Sequence, residues 1–240
     1  MPVHQISPTC LQISRFNLMN GYLVRENDGI SVIDTAMFAA RIIVEAARQL
    51  GQPIRRILLT HAHIDHVGSV DALKKLVPDA QLIAGARESQ LLAEAALGIK
   101  PAHMTLLPSE ARKPVKGTFK KLKSVPERLI AENDRVGSLK VVSSPGHTPG
   151  HLSFFDERDG SLYPGDALTT FGGVRLPFGP VWYFSGPKFA TWDYPKSLAS
   201  AKMPAELQAT RILTGHGPAI EEAQPKLAVA ITRAAQKLAS

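Results

Sequence analysis

Short apolar runs alternate with helical stripes along this 240-residue chain. Residues 21–24 and 29–33 are two such runs around Glu26-Asn27-Asp28-Gly29, the pattern of a β-hairpin. Asp34 and Thr35 then offer a helix start. Phe38, Ile42, Ile43, Ala46, Ala47 and Leu50 recur at helical spacing, with Arg41, Glu45 and Arg48 opposite them and Gly51 at the end. Residues 54–59 predict a buried strand, and after Gly68 the positions Val70, Leu73, Leu76 and Val77 trace a second helical face. A short strand over 81–84 and a helix over 87–97 follow.

Residues 98–126 break this rhythm, because Pro101, Pro108, Pro114 and Pro126 separate short apolar and basic pieces. The stretch is expected to be an insertion, with Ile99, Met104, Leu106 and Leu107 as apolar material for a lid; a plain surface excursion fits equally. Beyond it, 129–130, 139–142, 152–155 and 162–163 read as strands, with a tight turn at Glu157-Arg158-Asp159-Gly160. Residues 191–201 predict a helix, 211–213 a strand and 221–238 a closing helix. Strands alternating with helices in both halves indicate an α/β protein.

Hydrophobic residues make up 44% of the chain, enough for a substantial core, and no linker or low-complexity tract divides it. One domain spanning 1–240 is expected. The single cysteine, Cys10, cannot form an internal disulfide, and no apolar run has the length of a signal peptide or membrane span, so a cytoplasmic protein is expected. The net charge of +7 raises the question of an anionic partner. Its densest source, Lys113, Lys116, Lys120, Lys121 and Lys123, contains only Phe119 as a stacking aromatic. A solvated face is the preferred reading, anionic substrate attraction the second and nucleic-acid binding the third.

The chemistry concentrates in His61-Ala62-His63-Ile64-Asp65-His66, three imidazoles and a carboxylate on the loop between a strand and a helix. His147, Asp166 and His216 lie on later loop-like stretches. Isolated histidines such as His4 and His103 read as ordinary surface or core residues, but a six-residue cluster does not. Imidazole suits Zn²⁺ and similar metals, and an aspartate oxygen can bridge two cations, so the set supplies donors for two ions. A Ser144–His147 nucleophile pair would leave the other histidines unexplained.

Five stretches, in order, resemble the metallo-β-lactamase superfamily: Val32-Ile33-Asp34-Thr35, Thr60-His61-Ala62-His63-Ile64-Asp65-His66-Val67-Gly68, Ser144-Pro145-Gly146-His147-Thr148-Pro149-Gly150-His151, Leu162-Tyr163-Pro164-Gly165-Asp166-Ala167 and Thr214-Gly215-His216-Gly217. The resemblance implies an αββα sandwich, two mixed β-sheets flanked by helices. It implies one metal on His61, His63 and His147, a second on Asp65, His66 and His216, and Asp166 bridging them. Zn²⁺ is favoured for both ions, and Fe or Mn fits the same donors. Asp65 and Asp166 would be the catalytic carboxylates, with Asp65 orienting the nucleophile or accepting its proton. Asp34 and His151 would orient their neighbours.

The function so implied is dinuclear metal-dependent hydrolysis of a small carboxylic ester, lactone or thioester by metal-bound hydroxide. β-Lactamases of the superfamily usually lack an aspartate at the bridging position, so Asp166 argues against antibiotic hydrolysis. Thioesterases resembling hydroxyacylglutathione hydrolase carry a further C-terminal helical domain, for which little chain follows His216. Quorum-signal lactonases match the seven-residue pattern, although many carry tyrosine three residues after the bridging aspartate, where this chain has Thr169; Tyr183 is the spatial substitute to look for. Lactonase or related ester hydrolysis is therefore expected. The alternatives are a mono-iron oxygenase resembling persulfide dioxygenase, on His61, His147 and Asp166, and a phosphodiesterase or nuclease, which would account for the basic charge. A non-catalytic binding module is the weakest. After Asp166, the segment holding Phe171, Phe178, Trp182, Tyr183, Phe184 and Trp192 is rich in aromatics. Phe178, Trp182, Tyr183 and Phe184 are expected to wall a substrate pocket, the alternative being a loop that covers the core.

Overall fold

The computed structural model describes residues 3–110, 113–178 and 186–239. Seven strands form the first sheet in sequence order: β1 (Val3–Ser7), β2 (Cys10–Arg15), β3 (Met19–Glu26), β4 (Gly29–Ile33), β5 (Ile54–Leu58), β6 (Gln81–Gly85) and β7 (Arg128–Ile130). β1 to β4 pair antiparallel as successive hairpins, and β4 to β7 pair parallel. The second sheet comprises β8 (Arg135–Val136), β9 (Leu139–Ser143), β10 (Leu152–Asp156), β11 (Ser161–Gly165), β12 (Arg211–Thr214) and β13 (Ile220–Glu221). It is antiparallel except for the β11–β12 pair.

Alternating side chains divide between two apolar layers in both sheets, the consequence of the two-residue period of a strand. Tyr22, Val24, Ile33, Leu58 and Ile83 meet Val141, Phe154, Tyr163 and Leu213 in the layer between the sheets. Their chain neighbours Leu23, Val32, Ile57 and Leu82 face outward under helices α1 (Ala40–Gln49), α2 (Ile64–Val67), α3 (Val70–Leu76) and α4 (Ala86–Ala96). On the far side, short helices α5 (Gly186–Ala190), α6 (Tyr194–Ser200) and α7 (Met203–Glu206) precede α8 (Ala223–Ala239), whose Leu227, Ala230 and Ala234 cover Ile212. Both faces of each sheet are thus buried, and the αββα sandwich expected from the sequence is the fold. No described helix is long and apolar enough to cross a membrane.

One local expectation is corrected. α1 starts at Ala40 rather than at Asp34, and Phe38 stands outside it, 72% exposed with φ of +56°. The Asp34 side chain is drawn instead onto Thr60 and His66, which removes it as a helix cap. Residues 3–15, for which the sequence pattern names no element, form β1 and β2, since backbone pairing with β3 satisfies a strand whatever its side chains. Within the 98–126 stretch, Met104, Val115 and Leu122 join the outer core of the first sheet.

Candidate metal centre

Every residue of the histidine motifs lies at the C-terminal end of a strand, along one edge of the sandwich. His61 and His63 follow β5, with Asp65 and His66 in the single turn of α2; His147 follows β9, Asp166 follows β11 and His216 follows β12. Side chains more than 150 positions apart in sequence thereby meet. Donor atoms of His61, His63 and His147 lie within 4.8 Å of one another, as do those of His61, His66 and Asp166, and those of Asp65, His66 and His216. All are buried except Asp65, which is partly exposed.

The outward nitrogen of each histidine is tied to a fixed acceptor. His66 Nδ1 donates to Asp34 Oδ2 at 2.8 Å. The Thr60 hydroxyl donates to the same oxygen at 2.7 Å, so its own oxygen accepts from His61 Nδ1 at 3.0 Å. His147 Nδ1 donates to Thr191 Oγ1 at 3.0 Å, and that hydroxyl is committed to the Pro187 carbonyl at 2.6 Å. His63 Nε2 donates to the Lys116 carbonyl at 2.9 Å, and His216 Nδ1 to the Leu18 carbonyl. With the outer nitrogens committed in this way, all five inner nitrogens are turned towards the centre.

That arrangement fits cations. His63 Nδ1 and His147 Nε2 face each other at 3.0 Å, lone pair against lone pair. His61 Nε2, His66 Nε2 and Asp166 Oδ1 are buried with no hydrogen-bond partner among the described residues. Asp166 Oδ2 lies 3.1 Å from His216 Nε2 and 3.4 Å from His147 Nε2, while Oδ1 lies 3.3 Å from His66 Nε2. Asp166 therefore sits between the two halves, while Asp65 lies 3.2 Å from His216 Nε2. Buried polar atoms left unpaired in this way are costly unless a positive charge is shared among them.

The electrostatics run the same way. Burial pushes the His61 and His147 imidazoles well below their ordinary range, helped for His61 by the surrounding imidazoles, so both are neutral donors. Burial would do the same to His66 and His216, but Asp166 overrides it with help from Asp34 and Asp65 respectively, raising His216 to about 10. Burial would raise the Asp65 and Asp166 carboxyls, yet His216 and His66 hold both well below the ordinary carboxylate value. The carboxylates draw protons onto the nearest imidazoles, and a divalent cation would displace those protons.

His151 stacks on His61 with ring centroids 4.9 Å apart, accepts from the Asp166 backbone N–H at 3.1 Å and pairs with Ser144 at 2.8 Å. It braces the centre from behind. Gly215 is required by close approach: a Cβ there would lie 2.3 Å from His66 Cε1 and 2.6 Å from Asp166 Oδ1. Thr191, Lys116 and Leu18 were not legible as site residues, because two of them act through backbone carbonyls and the third is one threonine among many.

A cavity of about 530 Å³ opens onto the cluster. Leu18, Met19, Ile64, Pro187, Phe189 and Ala190 form its apolar walls, and Gly117 and Thr118 of the 98–126 stretch form one side. No lysine or arginine is among its described lining residues. Two of the lysines once read as a solvated patch are used structurally, Lys120 capping the Gly68 carbonyl at 2.6 Å and Lys113 pairing with Asp193 at 3.6 Å. Phe178 does not wall this cavity. It is 1% exposed, stacks on Tyr194 at 4.7 Å and packs among Leu176, Leu227 and Ala230, because the chain after β11 turns back across the second sheet. Trp182, Tyr183 and Phe184 lie outside the described residues. Thr169 is buried and donates to the His216 carbonyl at 3.1 Å, so it offers the cavity no hydroxyl.

Two mixed sheets between helices, with histidine and aspartate loops converging at one edge, define a metal-binding αββα protein. The chain belongs to the metallo-beta-lactamase superfamily, whose family model matches residues 17–216. It is 36% identical over 218 residues to the uncharacterized protein YobT of Bacillus subtilis, covering 90% of each chain. It is 28% identical to the hydroxyacylglutathione hydrolase of Rhodospirillum rubrum, covering 88% of this chain and 65% of that relative. The solved structure of TTHA1623 in a di-iron-bound form superposes with a TM-score of 0.60 at 27% identity, over 85% of this chain and 90% of that one. Together these support a metal-dependent hydrolase.

Proposed function

We propose that this protein is a dinuclear metal-dependent hydrolase of small carboxylic esters, with lactones the first class to test and thioesters next. The supporting observation is that the inner nitrogens of five imidazoles converge with two carboxylates, the outer nitrogens being tied, in two groups that meet at Asp166. His61, His63 and His147 would hold one divalent cation and Asp65, His66 and His216 the other, with Asp166 bridging, and the pair would acidify water and polarise a carbonyl. Asp65 and Asp166 both line the cavity, and Asp65, the partly exposed one of the two, would serve as proton acceptor and aim the nucleophile. Leu18, Ile64 and Phe189 receive the apolar part of the substrate and exclude water from the reacting carbonyl.

An assembled second group, Asp65, His66 and His216, favours this reading over a mono-iron oxygenase, which would use only His61, His147 and Asp166. The lack of cationic side chains among the described cavity residues favours a neutral carbonyl compound over a phosphodiester or nucleic acid. The relative named hydroxyacylglutathione hydrolase keeps hydroxyacyl-glutathione substrates in the panel, and the di-iron form of TTHA1623 keeps iron beside zinc. The proposal takes 1–240 as one domain, with 98–126 as a lid-like insertion whose Gly117 and Thr118 border the cavity.

The test is turnover by the purified protein, with metal content measured alongside, on lactones, esters, thioesters and a phosphodiester. Hydrolysis of carbonyl substrates, abolished by chelation and restored by added Zn²⁺, Fe²⁺ or Mn²⁺, is expected. Turnover confined to the phosphodiester, or oxygen consumption with one iron per chain, would overturn the proposal.

A further inference from the structure

Glu88 is fully buried in the first turn of α4, and it has no cationic partner within ion-pair distance among the described residues. Its neighbour Arg87 is turned away onto Glu110, which it engages through Nε at 2.6 Å and a terminal guanidinium nitrogen at 2.9 Å. A buried carboxylate without a counter-ion is costly and must be held by hydrogen-bond donors. Three are supplied, from two different loops. Oε2 accepts from the Ala62 backbone N–H at 2.8 Å; Oε1 accepts from the Thr148 hydroxyl at 2.7 Å and the Gly150 backbone N–H at 2.9 Å.

Those loops carry the three-histidine group. Ala62 stands between His61 and His63, and Thr148 follows His147. One loop leaves the first sheet after β5 and the other leaves the second sheet after β9; a single backbone bond, from the Leu152 N–H to the Thr60 carbonyl at 2.9 Å, joins their bases, and Glu88 ties them nearer the histidines. Close approach to α4 is built in at Gly150, where a Cβ would lie 2.5 Å from Arg87 Cβ and 3.0 Å from Glu88 Oε1. We propose that Glu88 is a positioning residue that sets the spacing of the His61–His63 loop against the His147 loop, and so the affinity of the three-histidine group for its cation. The Asp65, His66 and His216 group has further anchors of its own, Asp34 on His66 and the Leu18 carbonyl on His216, so the effect of Glu88 falls chiefly on the three-histidine group. This inference rests on the proposed metal centre.

Glu88→Gln keeps the shape but leaves one donor facing a donor. Retaining the two bonds to Oε1 turns the amide nitrogen towards the Ala62 N–H, and flipping it turns the nitrogen towards the Gly150 N–H. The experiment compares wild type and E88Q, at a pH where Glu88 is ionised, by stepwise Zn²⁺ titration against a chromophoric chelator, and by amide hydrogen exchange of Ala62 and Gly150 in the metal-free proteins. The expected result is one affinity weakened on the order of 10- to 100-fold, the other within about threefold, and faster exchange at Ala62 or Gly150 in a protein that still unfolds cooperatively. Unchanged affinities with unchanged exchange overturn the proposal, as does equal weakening of both ions. If wild type itself takes up fewer than two ions, the dinuclear reading fails, and exchange in the metal-free proteins still decides the role of Glu88. Should E88Q not fold, Thr148→Val removes a single donor to Oε1 and carries the same two readouts, with a smaller loss expected at the same group and no change refuting the proposal.

Discussion

Asp34→Asn isolates what one carboxylate does for two histidines. The substitution keeps the size of the side chain and suits the left-handed backbone at this position, φ of +53°, which asparagine tolerates. Backbone strain is therefore unchanged, and only the acceptors are altered. Asp34 Oδ1 accepts from the Thr60 N–H at 2.9 Å, while Oδ2 accepts from the Thr60 hydroxyl and His66 Nδ1. With its amide nitrogen at the Oδ2 position, asparagine opposes both of the latter donors; flipped, it opposes the Thr60 N–H. Each arrangement breaks at least one buried hydrogen bond to a charged group and leaves a donor unsatisfied, for a loss of about 2–4 kcal/mol. The Thr60 hydroxyl is also freed to donate to His61 Nδ1, which would move that ring's own hydrogen to the inner nitrogen. The expected outcome is a lower denaturant midpoint for the metal-free protein, with metal affinity reduced on the order of 10- to 100-fold. Denaturant titration and chelator competition measure the two. A stability change below about 0.5 kcal/mol together with wild-type metal affinity would show that Asp34 controls neither ring.

Asp166→Ala should lower turnover by several kcal/mol of transition-state stabilisation, on the order seen for groups central to metal electrostatics, while the three apolar layers stay packed; a folded, metal-poor variant with near-normal kinetics refutes this. Phe178→Ala should cost about 3–5 kcal/mol in denaturant unfolding and leave preference among acyl lengths unchanged, since Phe178 belongs to the layer under α8; altered preference without a stability loss would return it to the substrate pocket. Gly215→Ala should cost about 1–3 kcal/mol and reduce metal occupancy by crowding His66 and Asp166, and full occupancy at wild-type stability counts against that packing. Burial pushes the Glu88 carboxyl from its ordinary 4.5 up to about 7, despite the Thr148, Ala62 and Gly150 donors. The folded protein therefore keeps a proton that the unfolded chain has released, and this contribution to stability, about 3 kcal/mol, is lost as pH rises between those two values. Unfolding of metal-free wild type against E88Q across that window should show the difference, and parallel pH profiles would refute it.

The layers of this fold were legible because burial is written locally. Runs such as 29–33, 54–58 and 81–85 present apolar residues on both faces of a strand, and Ile43, Ala46 and Ala47 mark a helix, whatever they pack against. The seven metal-ligand candidates were legible for a similar reason, since imidazole and carboxylate carry their chemistry wherever they stand. β1 and β2 were missed, because strand pairing is made by backbone groups that every residue has. Loops from β5, β9, β11 and β12 reach one edge only once both sheets are stacked, so the convergence at Asp166 belongs to the tertiary structure. So do the acceptors that orient the rings, including the carbonyls of Lys116 and Leu18, and the carboxylate of Glu88 that ties two loops together. The chain after β11 shows the division most plainly: its aromatic character was visible in the sequence, but whether Phe178 met substrate or core depended on the direction in which the backbone turned. Side-chain chemistry travels with the residue, whereas a hydrogen-bond partner or a packing neighbour exists only when distant segments are brought within a few ångströms.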